Sequence, residues 1–519
     1  MSGPETSKLY RRLIVLAVLC SIGGYLVLAM APRVWKRIGR ELFSLKPANF
    51  SNAAVSHYPV KNALGGGYLV DRDGKPFMVI GDAAWGLVGI LSPTDADVYF
   101  SNRATLGFNS VLIAIGVSNY SGSKVGGYET FDGLPPFVGG TSTTPGPLTK
   151  PYEPYWERVD AMIRLAAKYN LNVIAFPMET GGWLKIMQAA GVDQCRQYGE
   201  FIGNRYKDFP NIIWAFGNDY DQPSWSVPAT DAVVIAVAHG ILSQDQHHLV
   251  TVELGTPANT TQRFGQSSST DDSSWWGILG INWGYTYLPT YATAKLDWQD
   301  SSIPVIPYVL GESGYENETW SGVEGSPKTC RRENWCSIIG GGLAGVIYGD
   351  YYIWLFFSGA VWQANLNSAG AIQTGYVRAF FEGLNWRDLR PDYSHKFCTA
   401  GYGTEFENLA SSSTRNALGQ SYISIDGYAP ATISDDGTLG IVYVQNRTTL
   451  TIDMSTLSGR VTAQWYDPTN NSYSSIGEYD HSGMIQFTSP AANSAGEQDF
   501  VLLLASKKDN KGQSTEKKL

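Results

Sequence analysis

From residue 68 to about 385 the chain alternates short, continuously apolar, β-branched runs with longer segments of helical period. The runs are PFMVIG (76–81), SVLIAI (110–115), NVIAFP (172–177), NIIWAFG (211–217), LVTVEL (249–254), ILGINW (278–283), PVIPYVLGE (304–312) and AGVIYG (344–349). Runs without polar alternation read as strands buried on both faces, the habit of parallel sheets. Between them WERVDAMIRLAAKYN (156–170) places Val159, Met162, Ile163 and Ala166 on one helical face, and DAVVIAVAHGILSQ (231–244) is apolar nearly all round. Eight such strands separated by helices predict a (β/α)8 barrel of TIM type. An open doubly wound sheet is the rival, but no Gly-x-Gly-x-x-Gly follows the first run. From about 420 the texture becomes all β, with YISIDGY, LGIVYVQ, TLTIDM, VTAQWYD, MIQFTS and DFVLLL split by Gly, Asp, Asn and Ser. That pattern predicts a small β-sandwich. The expected fold class is therefore α/β, with the barrel over 61–415 and the sandwich over 420–506.

The ends differ from this body. After a short tail (1–12), residues Leu13–Ala31 form an uncharged, largely apolar run of 19, enough to cross the hydrocarbon of a bilayer at about 1.5 Å per residue. The expectation is one N-terminal transmembrane helix acting as a signal-anchor. A signal peptide cut after Ala29-Met30-Ala31 is the alternative, although Pro32 follows that site directly. Three basic residues (Lys8, Arg11, Arg12) precede the run and four (Arg33, Lys36, Arg37, Arg40) follow, so charge does not fix the orientation. Residues 32–60 read as a stem and 507–519 as a disordered polar tail. The expected location is a membrane tether with the catalytic domain extracellular or lumenal, or else secretion.

Composition narrows the partners. With 38 Lys+Arg against 47 Asp+Glu the net charge is −9, a poor balance for phosphate contacts, so nucleic acid is not expected. Hydrophobic residues at 43% and charged residues at 16% exclude a disordered or coiled-coil chain. The 16 Trp and 30 Tyr suit stacking on the flat faces of sugars. Five Cys without a Cys-x-x-Cys, and six scattered His, point to no metal site, and no cofactor is expected. Cys330 and Cys336 could close a small disulfide loop or remain free buried thiols.

Barrel chemistry sits where strands end and the following loops begin. Asp82 and Trp85 follow the first run, Glu179 and Trp183 the third, and Gly217-Asn218-Asp219 the fourth. Glu253 ends the fifth, Trp283 and Tyr285 close the sixth, Glu312 ends the seventh with Tyr315-Glu316 behind it, and Tyr348 and Asp350 close the eighth. Carboxylates and rings gather on one rim, without recurring His, Lys or Cys. That set suits glycoside hydrolysis, in which one carboxyl protonates the leaving oxygen and another attacks the anomeric carbon or activates water. Strands four and seven lie nearly opposite in a ring of eight, which selects Asp219 and Glu312. The remaining rim residues, Asp82, Trp85, Glu179, Trp183, Asn218, Glu253, Trp283, Tyr285, Glu316 and Tyr348, are candidates for substrate binding. Plainer readings stand beside these. A carboxylate after a strand often caps a helix, Asp82 could be a buried structural group, and Glu316 competes with Glu312.

The segments GKPFMVIGDAAW (74–85), RYKDFPNIIWAFGNDYD (205–221), PVIPYVLGESGYE (304–316), GGGLAGVIYGDYYIW (340–354) and GLNWRDLRPD (383–392) resemble the apiosidase-like glycoside hydrolases of family 140. AQWYDP (463–468) and DFVLLL (499–504) resemble the C-terminal β-domain labelled as collagen-binding. The resemblance spans about 65–505 and implies a barrel that cleaves glycosidic bonds in complex plant-type glycans. It carries the family's catalytic acid onto Asp219 and its nucleophile onto Glu312. Two departures concern the pocket: the family usually has two glycines before the aspartate where this chain has Asn218, and its fifth strand often ends His-Pro where this chain has Glu253-Leu254. The loop from Ser118 to Lys150 also looks longer than usual. The expected function is a retaining glycoside hydrolase acting on a carbohydrate substrate. The alternatives are a non-hydrolytic carbohydrate-binding protein and a wall-remodelling transglycosylase on the same barrel. Carboxyls about 5–5.5 Å apart would favour retention and about 6.5–9.5 Å inversion.

Overall fold

The computed structural model describes residues 57–120, 127–220, 228–255, 258–264, 275, 277–287, 289–299, 305–320, 323–357, 361–406 and 427–506, all within one compact unit, Pro47–Leu519. The expected membrane span (13–31), nearly all of the stem and the tail from 507 lie outside these residues. Among the described residues no helix is long and apolar enough to cross a membrane.

The barrel strands are β1 (Val79–Ala83), β2 (Ser110–Ala114), β3 (Asn172–Phe176), β4 (Ile212–Tyr220), β5 (Val250–Leu254), β6 (Asn282–Tyr285), β7 (Tyr308–Glu312) and β8 (Gly345–Tyr348). All ladders between them are parallel, and β8 pairs back onto β1 through Val346 and Ile80. That closing pair excludes the open doubly wound sheet. Between β5 and β6 the ladder is replaced by two bonds onto the Val250 carbonyl, from the N–H of Gly280 at 2.9 Å and of Ile281 at 3.2 Å. The ring is thus nearly closed.

Two strands begin later than the apolar runs suggest. Pro76–Phe77 pairs with Leu69–Val70 in a small antiparallel sheet, which moves β1 on to residue 79 and puts Asp82 inside it. In the sixth run residues 280 and 281 are taken up by the bonds to Val250, and β6 starts at Asn282.

The helices follow local rules. Helix α1 (Pro93–Leu106) opens with Pro at its first position, where no N–H is needed, and with the Ser92 hydroxyl accepting from the Asp95 N–H at 3.1 Å. Gly107 ends it at φ +99°. Helix α2 (Glu153–Lys168) buries the predicted face of Val159, Met162, Ile163 and Ala166. Helices α3 (Thr180–Ala190), α4 (Val192–Tyr206), α5 (Pro228–Gln244) and α6 (Tyr291–Gln299) continue the outer layer, followed by α7 (Pro327–Ile339) and α8 (Ala369–Phe381). Cys330 and Cys336 are free and buried on α7. Six residues apart on an α-helix, their side chains point to different sides, so no bridge can close.

The C-terminal part is a sandwich of two antiparallel sheets. One runs β9 (Leu389–Pro391), β11 (Ala431–Ser434), β12 (Leu439–Val444), β17 (Phe500–Ser506), β14 (Val461–Asp467) and β15 (Ser472–Tyr479). The other runs β10 (Cys398–Ala400), β13 (Thr449–Asp453) and β16 (Met484–Thr488). Both faces share one core, including Val442, Trp465 and Leu502 from the first sheet and Leu450, Ile452 and Phe487 from the second. Strands β9 and β10 precede the expected boundary of 415, because three-residue strands leave no readable alternation. The sandwich is built onto α7 and α8: Trp335 stacks on Tyr443 with centroids 6.0 Å apart, and Arg331 forms an ion pair with Asp499.

Candidate active site

Strand β4 ends in an unusual backbone. Gly217, Asn218 and Asp219 have φ of +93°, +87° and +48°. Gly217 pairs with Glu253, but the next partners are Tyr220 and Leu254, so two residues of β4 bulge out of the ladder at the mouth of the barrel. Gly217 is required there, since a Cβ would lie 2.2 Å from the Glu253 carbonyl oxygen. Asn is among the few residues that accept left-handed backbone, which explains a non-glycine at 218. The Thr180 hydroxyl fixes the bulge by donating to the Asn218 carbonyl. Asp219, in the same left-handed region, is a strained residue of the kind found at functional sites.

Glu312 ends β7 and pairs with Tyr285 of β6 beyond a register shift that leaves Gly311 without a ladder partner on β6. A Cβ on the preceding Gly311 would lie 2.0 Å from the Trp283 ring, so that ring fills the barrel directly beside Glu312. The loop beyond is held from below by α7, where Glu333 accepts from the Gly314 N–H at 3.1 Å.

Asp219 and Glu312 line one cavity of about 140 Å³. Trp85, Tyr120, Asn218, Tyr285, Tyr287, Ser313, Tyr315, Glu318 and Trp354 complete its wall. Tyr120 donates its hydroxyl to Asp219 at 2.8 Å. The Trp85 indole N–H donates to the Tyr315 hydroxyl at 3.0 Å, and Tyr315 in turn bonds Glu312. Burial raises the Glu312 carboxyl above its ordinary range, and the charges of Asp219 and Glu318 add to this, while hydrogen bonds from Glu253 and Tyr315 act the other way. Burial also raises Glu318. Acidic groups therefore surround one small space walled by rings, the condition for holding a proton on one carboxyl and a charge on another.

Of the predicted residues, Asp219, Glu312, Trp85, Asn218 and Tyr285 line this cavity, and the others do not. Asp82 is wholly buried against Arg103 at 2.7 Å and Tyr99 at 2.5 Å, a structural ion pair. Glu316 accepts from the Tyr348 hydroxyl and from the Gly370 N–H at 3.3 Å, which ties the loop after β7 to α8 and removes Glu316 as a rival to Glu312. Tyr348 is spent in the same network. Trp183 is core, its N–H donating to the Gly116 carbonyl at 3.0 Å, and Glu179 is buried beneath the Ser118 hydroxyl. Trp283 packs inside the barrel, and Glu253 is buried behind Glu312. These corrections share one cause: the rim of a barrel has a buried layer directly under its open one, and residue type does not separate them.

The sequence reading missed Tyr120, Tyr287, Ser313, Glu318 and Trp354, and it placed Tyr315 on the rim without assigning it to the site. Tyr287 and Tyr315 each stand two or three positions past a rim residue, which was a usable signal; Tyr120 comes from the long loop after β2 and had none.

Residues 64–388 match a family model described as the apiosidase-like catalytic domain. Residues 423–505 match a second model, named for collagen binding in a collagenase. A solved glycoside hydrolase superposes with a TM-score of 0.67 at 23% identity, covering 86% of this chain and 97% of its own. A family 5 glycoside hydrolase from Bacteroides vulgatus gives 0.67 at 21% identity, covering 86% and 93%. At such identities the likeness speaks for the fold. No curated protein matches the chain.

Proposed function

The chain belongs to the apiosidase-like family of glycoside hydrolases, and from that premise we propose a retaining enzyme in which Asp219 is the general acid/base and Glu312 the nucleophile. The observation that carries the assignment is the shared cavity, with Asp219 on the β4 bulge and Glu312 on the end of β7. Glu312 receives hydrogen bonds that favour its ionised form, as a nucleophile needs. Asp219 stands at a half-exposed lip under one tyrosine hydroxyl, where a proton can be exchanged with water. In the first step the Glu312 carboxylate bonds the anomeric carbon while the Asp219 proton passes to the departing glycosidic oxygen. In the second, Asp219 takes a proton from water, whose oxygen displaces Glu312 from the sugar.

A space of about 140 Å³, small beside the roughly 300–1,000 Å³ of pockets for drug-sized ligands, suits a single sugar ring. The proposed substrate is therefore a terminal or single-residue branch sugar, with an apioside, the family's namesake, the first to test. The rings of Trp85, Tyr285 and Trp354 would enclose it and exclude water. The test is a panel of aryl furanosides and pyranosides, with product anomers followed by NMR. Release of one sugar with its original anomeric configuration, and loss of about a thousandfold or more in kcat in Asp219→Asn and in Glu312→Gln, is the expected result. An inverted product refutes retention, and near-normal turnover in either variant refutes the residue assignment.

A further inference from the structure

Glu253 is the carboxylate for which hydrolysis by Asp219 and Glu312 has no stated use. It sits at the end of β5, is 0% exposed, and is absent from the cavity wall, so it cannot touch the sugar. Strands β5 and β7 are both odd-numbered, and side chains of alternate strands share a layer in this kind of barrel. Glu253 accordingly meets the Glu312 carboxyl from behind, with the backbone N–H of Asp219 also approaching. Among the described residues neither Glu253 oxygen has a donor within full hydrogen-bond geometry, and the nearby Asp219 N–H, which favours the charged form, is outweighed by burial and by Glu312. The charges that act on it, those of Glu312 and Asp219, are both negative.

An ionised carboxylate in that position would be dry, with only one backbone N–H nearby and between like charges. A neutral acid avoids this cost, but its own O–H then needs an acceptor, and the Glu312 carboxyl is the one in reach. Two carboxyls can approach in this way only if they share a proton.

On the reading that Glu312 is the nucleophile, we propose that Glu253 is a positioning residue that retains its proton through the cycle and donates it in a hydrogen bond to Glu312. With the Tyr315 hydroxyl on the same carboxyl, this leaves Glu312 ionised and fixed in orientation. The direction of the electrostatics agrees: burial, then the charge of Glu312, pushes Glu253 well above the carboxylate range. The titratable groups that face Glu253 are Glu312 from β7, Asp219 from β4, Tyr315 from the loop after β7 and Tyr120 from the loop after β2. Glu179, at the end of β3, reaches the same layer through its bridge to Gly217.

Two variants of the full chain test this. Glu253→Gln keeps a donor of the same shape, and its kcat/KM should stay within about threefold of wild type, with the acid limb of the pH profile unmoved. Glu253→Leu removes the donor; kcat should fall about 10–100-fold and the acid limb should move up by about one pH unit, because Glu312 loses a bond to its charged form. A Gln variant as impaired as Leu, or one whose acid limb falls by a unit or more, overturns the proposal, since the latter means that a negative charge was removed. A second readout needs no substrate. The infrared difference between wild type and Glu253→Gln at neutral pH should contain the carbonyl stretch of a protonated acid, with signals from Glu333 and Asp350 cancelling. Loss of a carboxylate stretch instead refutes the proton's position. Persistence of the acid stretch alongside full activity in Glu312→Gln would overturn the catalytic role of the pair, and would trace the failure to the nucleophile assignment.

Discussion

The joint between barrel and sandwich rests on one guanidinium, and its removal has a calculable effect. Arg331 on α7 is 2% exposed and makes a two-pronged contact with Asp499, Nε to Oδ2 at 2.9 Å and Nη2 to Oδ1 at 2.8 Å. Its third nitrogen donates to Gln373 on α8 at 2.8 Å, and Glu497 adds a second carboxylate. Asp499 is 0% exposed; burial acts to raise its carboxyl, but the charge and hydrogen bonds of Arg331 prevail and hold it below the ordinary range. Arg331→Met keeps the volume but leaves Asp499 with only neutral donors, Tyr443 at 3.0 Å and Asn493 at 2.9 Å. Breaking one side of a buried pair costs about 3–5 kcal/mol. With an unfolding entropy of about 2.1 cal/mol/K per residue, a unit of roughly 450 residues loses about 1 °C in Tm per kcal/mol, hence about 3–5 °C here. Tryptophan fluorescence suits the assay, because Trp335 lies against Tyr443, Tyr466 and Phe380 in this same joint. Adding Asp499→Asn to Arg331→Met removes the stranded charge and should return about 1–3 kcal/mol. A single variant within about 1 kcal/mol of wild type, or a double variant no better than the single, refutes the argument.

Asn218→Gly should leave stability and kcat close to wild type because both residues accept φ of +87°, whereas Asn218→Val should cost about 1–2 kcal/mol and displace Asp219, lowering kcat at least tenfold. Melting curves and turnover measured together decide it, and an active, stable valine variant would contradict the bulge's role. Burial pushes Glu333 up to about 8 and Asp350 up to about 7. Their protonated forms favour the folded state, so the contribution is fully present below about pH 4 and lost as pH rises toward 8. Urea unfolding from pH 5 to 8 should show stability falling, and Glu333→Gln, which can still accept from Gly314, should flatten that fall; an unchanged slope counts against it. For the N-terminus the proposal remains a tether: deletion of residues 1–46 should move the protein from the membrane fraction to the supernatant with kcat unaltered, and a wild-type chain found only in the supernatant would contradict it.

Much of the fold could be read in advance because it depends on strong, redundant signals. Eight apolar runs, each buried on both faces, admit few architectures, and a frame error of two or three residues does not alter which strands neighbour each other. The small displacements have local causes, a side sheet taking Pro76–Phe77 and the Val250 carbonyl taking up residues 280 and 281. Strands β9 and β10 were illegible for the opposite reason: three residues hold too little alternation, and pairing with Ala431–Ser434 and Thr449–Asp453 supplies their order.

The site was legible in its opposed carboxylates and in Trp85, Asn218 and Tyr285, but not in which rim carboxylates are buried, and the reason lies in what each carboxylate faces. Asp82 stands one residue and Asp219 two residues after a glycine near the end of an apolar run, so the chain presents them much alike. Asp82 is met by a guanidinium from α1, twenty-one residues on, and lies fully buried away from the cavity. Asp219 meets a phenol across the mouth, from a loop ninety-nine residues away. Glu316 and Glu312 divide in the same manner, four positions apart, one in the loop after β7 and one at the strand's end: the first is enclosed by Tyr348 and the Gly370 N–H, the second opens onto the cavity. A carboxylate bonded to fixed donors in the interior serves the fold; one that opens onto a cavity walled by hydroxyls, rings and another carboxyl is placed to meet a ligand. The distinction is made by partners distant in sequence, which is why opposition of β4 and β7, a property of the ring itself, could be foreseen while of the aromatic lining only Trp85 and Tyr285, close to their strand ends, could.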